Sequence, residues 1–300
     1  MKRNSNLLIL IILGLIWSSF AVFTKIAAQN LLPYFVTFSR LALGWILLYA
    51  VCLIKGKKVF VAKNFKYYAI VGFFNSALPF TLFALSSRAL DSGIAAILDG
   101  TVPMFEVLIS IFILRRQVDK SAILGIFFGL IGVIITSCGN ITNIDLAWVE
   151  IASIIAILFA TTSYAAASLY ASAKCRDIEP LVIATGSVSC ATLMMSPSIF
   201  FTDFSVISSS VILSLAGLGL LCTGLAYVFY FKLLAEEGPR TAVSVVLLIP
   251  VFGTIFGAIF LDETITTSKI IGCITILVSL KFILNLSHKN FFQLSRVPNN

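Results

Sequence analysis

Three ionisable residues lie inside long apolar stretches of this 300-residue chain. Arg40 lies in the stretch 33–54, and Asp99 and Glu106 lie together in the stretch 92–114. A charge at the centre of a hydrocarbon layer costs at least ~2.5–3.5 kcal/mol, so each of these groups needs a partner or a water-filled cavity. Asp99 and Glu106 are nearly two helical turns apart and should therefore share one helix face.

The depth of these groups suggests their partners. Arg40 and Asp99 are each about seven residues from the same surface, or ~10 Å deep, so an ion pair between them is expected. That pair would be either a structural link or part of a binding site. Glu106 lies nearer the midplane without an obvious partner. Such a carboxyl suits proton coupling or binding of a substrate amine; the alternative is a protonated carboxyl that is hydrogen-bonded to a neighbouring helix.

Two prolines in the middle of apolar stretches predict interrupted helices. Pro103 and Pro250 each free the backbone carbonyl four residues earlier, those of Asp99 and Val246. Interrupted helices at corresponding places of two halves point to the binding site of a transporter, whereas a packing kink is the simpler alternative. Further polar and aromatic candidates for a small-molecule pocket are Trp17, Ser18, Asn75, Tyr164, Tyr227 and Tyr230. For each of these six, ordinary helix packing or anchoring at the membrane interface is the alternative.

The elements that must position these residues are membrane-spanning helices. The chain is 59% hydrophobic and only 11% charged, against roughly 25% charged in soluble domains. Its apolar blocks match the ~20 residues that cross a bilayer as a helix. We expect an all-α membrane protein with ten spans, at 6–28, 33–54, 67–88, 92–114, 121–139, 147–172, 180–201, 209–234, 240–262 and 267–286.

The distribution of Lys and Arg predicts the orientation. With a cytoplasmic N-terminus, the inside segments hold 16 basic residues and the outside segments hold three, Lys25, Arg88 and Lys269. Both termini are therefore expected in the cytoplasm, at the inner membrane of a cell. The net charge of +8 follows this topology and does not indicate nucleic-acid binding.

An internal repeat divides the chain. Pro103 and Pro250 are 147 residues apart, and at that offset the two halves match without a gap from about position 75 to 125. Matched pairs include Phe80 with Tyr227, Phe83 with Tyr230, Ser121 with Ser268 and Gly125 with Gly272. Each repeat holds five helices, an odd number, so the halves must cross the membrane in opposite directions. Repeats are expected at 1–140 and 147–288, with a cytoplasmic tail at 289–300.

A change of charge sign supports the inversion. Arg115-Arg116 after the fourth span align with Asp262-Glu263 after the ninth, and the topology puts the first pair inside and the second outside. Inverted repeats are the usual scaffold of secondary transporters, which expose one site alternately to each side.

These residues resemble the EamA-type transporters of the drug/metabolite transporter (DMT) superfamily. The similar segments are residues 14–20, Thr37 to Arg40, Ala95 through Pro103, and Pro250 through Glu263. The resemblance covers residues 7 to 286 and implies an exporter of amino acids or other metabolites. One departure is that the family often carries Glu at the end of its fourth helix, where this chain has Arg115-Arg116.

The resulting expectation is a secondary transporter that exports amino acids or related small metabolites by alternating access, with proton coupling left open. Motifs of ATP-driven pumps and metalloproteases are absent from the sequence, so no enzyme activity, metal or cofactor is expected. The expected partners are a small metabolite, the lipid bilayer and, for a coupled mechanism, protons; a homodimer stays open. The alternative functions are a membrane scaffold without transport and a membrane-embedded enzyme, although the latter would need a polar catalytic cluster.

Overall fold

The chain folds as a bundle of membrane-spanning helices. The structure, a computed structural model, describes residues 2–138 and 144–284. Within these residues, nine helices are long and apolar enough to cross a membrane, and one bent pair of helices supplies a tenth span. The spans are α1 (Asn6–Asn30), α2 (Pro33–Ile54), α3 (Ala62–Ser86), α4 (Ser92–Phe112), α5 (Lys120–Ser137), α6 (Trp148–Lys174), α7 (Pro180–Phe201), α8 (Ser209–Glu237), α9 (Thr241–Leu247 with Ile249–Leu261) and α10 (Thr267–Leu284).

The expected ten spans are confirmed, with ends that shift by a few residues. The expected tail at 289–300 lies outside the described residues. The bundle has two ends. The basic end carries the connections 55–61, 113–119 and 175–179, and the opposite end carries the connections 31–32, 87–91 and 262–266.

Helix packing follows the two-repeat arrangement. Helices α2, α4 and α5 pack along α7, α9 and α10, their counterparts in the other half. In the same way, α3 packs on α6, and α8 packs on α1. These two contacts are equivalent, because α3 corresponds to α8 and α6 corresponds to α1 in the two repeats. The fold is therefore two inverted five-helix repeats that share one interface.

Two backbone irregularities recur at the offset of 147 residues. Helices α3 and α8 each widen into a π-helix, at Phe73–Ala77 and at Gly217–Leu225. Arg115 and Asp262 take positive φ angles of 50° and 52°; Asp262 directly follows the last residue of α9, and Arg115 lies three residues after the last residue of α4. The amide of the next residue then bonds back into the helix, Arg116 to the Ser110 carbonyl at 2.9 Å and Glu263 to the Gly257 carbonyl at 3.2 Å.

The helices α4 and α9, which carry the corresponding prolines Pro103 and Pro250, are both interrupted just before the proline. In α4 the α-helix stops at Asp99 and resumes at Val102. In α9 a 3₁₀ turn precedes Ile249, and the two parts differ in direction by 41°. The two breaks touch, because a Cβ added at Gly100 would lie 3.1 Å from Pro250 Cγ.

Candidate functional site: a polar cluster between the repeats

Arg40 lies at the centre of the bundle and is only 8% exposed. Its Nε donates a hydrogen bond to Thr223 Oγ1 at 3.0 Å. Its guanidinium packs over the Phe80 ring, with 3.6 Å from Cζ to the ring centroid. Thr223 belongs to the π-helix of α8 and in turn donates to the Leu218 carbonyl at 3.0 Å. The buried charge is thus held by an aromatic face and a hydroxyl.

Asp99 is close to Arg40 but does not form the expected ion pair. The two charges interact electrostatically, yet the ion pairs within 4.0 Å among the described residues do not include them. Arg40 instead donates through Nε to Thr223 and packs over the Phe80 ring. The half-buried Asp99 carboxyl has no hydrogen-bond partner among the described residues and is left available to a ligand.

Glu106 lies deeper along α4, towards the basic end. Its carboxyl is half-buried and lies within hydrogen-bonding reach of the Ser168 hydroxyl on α6. Tyr230 of α8 faces it closely enough for an electrostatic interaction. Glu106 therefore has a polar neighbour on another helix, as the alternative interpretation of the sequence expected, and it lies between α4, α6 and α8.

Aromatic residues from four helices surround the two carboxyls. Trp17 donates from Nε1 to the Cys222 carbonyl at 3.2 Å and packs on Tyr230, with ring centroids 5.5 Å apart. Tyr164 packs on Phe80 and Phe83, each at 6.3 Å.

The hydroxyl of Tyr227 lies within hydrogen-bonding reach of Asn75, in the π-helix of α3. Trp17, Asn75, Tyr164, Tyr227 and Tyr230 all keep part of their surface accessible although helices surround them, as expected of side chains that line an internal space.

The remaining candidates lie beside this cluster rather than in it. Ser18 is fully buried, and its hydroxyl donates to the Gly14 carbonyl at 2.6 Å and to the Leu248 carbonyl at 3.4 Å. It therefore packs α1 onto the break of α9. Pro103 and Pro250 are both buried, and they shape the helix breaks without offering polar groups.

Sequence reasoning missed a second charged group at the opposite end of the bundle. We call Lys25, Asp91, Glu263 and Lys269 the charge network. Burial alone would raise the pKa of the Asp91 carboxyl, but the hydrogen bond and charge of Lys269, followed by the charge of Lys25, lower that pKa below its ordinary value. A signal was present: the few basic residues at this end share it with Asp91 and Glu263.

The central cluster has the chemistry of a binding site for a small polar molecule. It offers two carboxylates, three phenols, one amide, several aromatic faces and the Arg40 guanidinium, which binds Thr223 through Nε. Among the described residues, no group of three or more His, Cys, Asp or Glu side chains is arranged to hold a metal ion.

Comparison with known proteins adds an independent line of evidence. The profile of the EamA-like transporter family matches residues 4–138 and again residues 151–285. The chain is 25% identical over 268 residues to "Uncharacterized transporter YoaV" of Bacillus subtilis, covering 87% of this chain and 90% of that protein. It is 26% identical over 266 residues to "Uncharacterized inner membrane transporter YedA" of Escherichia coli, covering 85% and 82%.

An archaeal relative and a solved structure extend the comparison. An uncharacterized transporter of Archaeoglobus fulgidus is 25% identical over 253 residues, with 83% of this chain and 87% of that one covered. A crystal structure of another protein, 18% identical, superposes with a TM-score of 0.66 over 93% of this chain and 97% of that one. At that identity, the last likeness shows the fold alone.

Proposed function

Because this chain belongs to the EamA-like transporter family, we propose that it is a secondary transporter that exports amino acids or related amine-bearing metabolites. The family points to a membrane transporter rather than an enzyme. The proposal adds the substrate class, the direction of transport and the coupling.

The observation that carries the substrate class is the state of the charges in the central cluster. Arg40 is engaged by Thr223 and Phe80, whereas the Asp99 carboxyl has no hydrogen-bond or ion-pair partner within the described residues. Of these two charges, the carboxylate is the one without a direct protein contact, and it would attract a cationic group of a ligand. Aromatic faces around a carboxylate favour a positively charged amine, because the face of each ring carries partial negative charge.

Glu106 is the candidate for proton coupling. It lies within reach of Ser168 and Tyr230, on the half of α4 that follows the helix break. A carboxyl inside a membrane protein is costly when charged and unpaired, so its proton and a cationic substrate would compete for it. Such competition would couple the movement of a proton in one direction to the movement of the cationic substrate in the other.

The proposed direction, export, comes from the family resemblance, and the orientation gives the order in which a substrate would meet the two carboxyls. The positive-inside rule puts the basic end of the bundle in the cytoplasm, and a relative is named an inner membrane transporter. On α4, Glu106 follows Asp99 towards that end. A substrate from the cytoplasm would therefore meet Glu106 before Asp99.

Transport in proteoliposomes tests the proposal. A panel of amino acids, diamines and nucleotide-like metabolites would be assayed with and without a pH gradient, for wild type, Glu106→Gln and the control Glu236→Gln. Glu236 is exposed and lies near the end of α8.

We expect uptake or release of an amine-bearing compound, and Glu106→Gln should fold normally but lose the pH dependence of transport. Wild-type pH dependence in Glu106→Gln would refute coupling through this residue. A protein that moves no member of the panel, and whose stability is unaffected by apolar replacement of Asp99 and Glu106, would favour a scaffold.

A further inference from the structure

The charge network joins four helix ends at the end of the bundle opposite the basic loops. Lys25 at the end of α1 binds Glu263 at 2.9 Å and Asp91 at 3.4 Å. Lys269 at the start of α10 binds the second oxygen of Asp91 at 2.6 Å and the Thr264 carbonyl at 2.7 Å. The Lys269 and Glu263 side chains are only 2% and 6% exposed. Lys269 and Glu263 are therefore shielded from water, where ion pairs are costly to break, whereas Asp91 is partly exposed.

Glu263 also binds the first turn of α4 directly. Its carboxylate accepts hydrogen bonds from the Ser92 amide at 2.7 Å, the Ser92 hydroxyl at 3.0 Å and the Gly93 amide at 3.1 Å. These amides are unpaired donors at the positive end of the helix dipole, so a carboxylate there is stabilising. The carboxylate that follows α9 thus caps α4.

Gly257 gives Glu263 room to reach α4. A Cβ added at Gly257 would lie 2.5 Å from Glu263 Oε2 and 2.6 Å from Ser92 Oγ. Because Asp262 turns the chain with a positive φ, Glu263 folds back over the last turn of α9 onto this glycine.

The network lies above a tightly closed seam between α4 and α9. The segment Ser92–Asp99 packs along Ile249–Leu261. Gly253 lies so close to the Ala96 methyl group that no side chain fits there, and the Gly93 position lies against Thr254. Beyond the breaks the two helices separate: Val102–Phe112 packs on α6, and the first part of α9 packs on α8 and α1.

The network has no counterpart in the other half. At the offset of 147 residues, Asp91, Glu263 and Lys269 correspond to Gly238, Arg116 and Ala122. None of these can form the same contacts, and Arg116 has a sign opposite to that of Glu263. One buried nitrogen of Arg116, Nη1, has no hydrogen-bond partner in the part of the chain that the structure describes. The backbone around the two positions is nevertheless alike, so the difference is one of side chains.

We propose that Lys25, Asp91, Glu263 and Lys269 form the gate that closes the transport pathway at the end opposite the basic loops. The gate opens when Glu263 leaves the first turn of α4 and the α4–α9 seam parts. Because α4 and α9 separate beyond their breaks and Ser168 is exposed there, the resting protein is open towards the basic end. This inference rests on the proposed transport function, and it identifies Glu263 as a positioning residue that sets which side is open.

Cysteine accessibility in lipid nanodiscs tests the gate without any substrate. Two reporters would be compared: Thr254→Cys, in the seam and 9% exposed in wild type, and Ser168→Cys beside Glu106. Labelling by a polar maleimide would be read at each position by peptide mass spectrometry, so that the native cysteines can remain.

The variants separate charge, geometry and general loosening. Glu263→Gln removes the negative charge of the carboxylate. Gly257→Ala moves this carboxylate away from the first turn of α4 but leaves its charge intact. Glu179→Gln is the matched control, because Glu179 pairs with Lys57 at 2.7 Å in an exposed ion pair at the basic end.

We expect labelling at position 254 to rise at least about tenfold in Glu263→Gln and in Gly257→Ala, and to stay unchanged in Glu179→Gln. Labelling at position 168 should be fast in the otherwise unmodified protein and should not rise. If Glu263→Gln does not give a monodisperse protein, Gly257→Ala decides.

Unchanged labelling at position 254 in the folded variants would overturn the gate. So would an equal rise at positions 254 and 168, which is the signature of general loosening, or an equal rise in the Glu179 control. Because no substrate is used, a responding seam in a protein that transports none of the panel would refute the proposed substrate class and leave the gate standing.

Discussion

Arg40 shows how a charge can be held at the centre of a membrane protein without a carboxylate partner. Its guanidinium combines a hydrogen bond to Thr223 with contact to the Phe80 ring. Contact with an aromatic face is worth up to about 2 kcal/mol when water is excluded. Arg40 is thus held without direct contact to Asp99, although the two charges interact electrostatically.

Replacing Thr223 should show how much the stability of the protein depends on its hydrogen bond with Arg40. Thr223→Val keeps the shape but removes the acceptor for Arg40 Nε, which should lower the free energy of unfolding in detergent by about 1–3 kcal/mol. Thr192→Val is the control, because the half-buried Thr192 hydroxyl bonds only to the Val188 carbonyl of its own helix. An equal loss in both variants would mean that the Arg40 contact adds nothing.

Asp99→Asn should leave stability within about 0.5 kcal/mol of wild type, as expected of a change that breaks no paired contact. Transport of an amine should nevertheless fall. Melting temperature and uptake, measured on the same preparation, check the two halves of this expectation. A large loss of stability would instead indicate that Asp99 pairs directly with Arg40.

Asp91 gives a pH dependence with a definite sign. Its pKa is lowered in the folded protein, so its contribution to stability is complete above the ordinary Asp pKa of about 3.9 and is lost as pH falls through the lower folded value. The stability difference between wild type and Asp91→Asn should therefore be constant from pH 8 to about pH 5 and shrink below about pH 4. A difference that shrinks near neutral pH would contradict this assignment.

At the scale of elements, the interruptions of the helices converge on the central cluster. The π-helices of α3 and α8 hold Asn75 and Thr223, and the breaks of α4 and α9 follow Asp99 and precede Pro250. π-Helices occur often at functional sites, because the extra residue redirects side chains and frees backbone groups. The irregular backbone in these four helices thus surrounds the polar side chains.

The α4–α9 seam is expected to depend on the fit between Gly253 and Ala96. Gly253→Ala should destabilise the protein by about 1–3 kcal/mol, since the added methyl group overlaps that of Ala96. Combining it with Ala96→Gly returns the space and should recover most of the loss. A double-mutant cycle on thermal unfolding measures this coupling; purely additive effects would show that the two positions do not meet.

At the scale of the whole molecule, the two repeats share a backbone plan but differ in charge. Both have the π-helix, the proline break and the positive φ angle after the broken helix. Asp99 and Glu106 lie in the first half, and the charged gate lies at the end opposite the basic loops. A symmetric scaffold with asymmetric side chains can favour one of its two orientations.

The orientation of the bundle is open to a direct measurement. In intact cells, an impermeant maleimide should fail to label Lys58→Cys at the basic end and should label Gln29→Cys, which is exposed at the opposite end of α1. Permeabilised cells should label both. The reverse pattern in intact cells would place the charge network in the cytoplasm and reverse the proposed direction of transport.

The sequence by itself determined the features that depend on local composition and on the repeat. Apolar blocks longer than the bilayer specify helices, and the offset between Pro103 and Pro250 specifies two copies of one five-helix unit. These are properties of chain segments, so neighbours along the sequence suffice to reveal them. The candidates Trp17, Asn75, Tyr164, Tyr227 and Tyr230 were likewise proposed from their residue types and their places within the predicted spans.

Only the tertiary structure decided which charges meet. Arg40 and Asp99 lie at similar depths, and depth alone favoured a pair, but the position of Thr223 around the α8 helix directs the guanidinium elsewhere. Lys25, Asp91, Glu263 and Lys269 are spread over more than 240 residues of sequence. Their contacts depend on how α1, α4, α9 and α10 are placed side by side, because an ion pair requires a separation of a few ångströms that no sequence interval encodes.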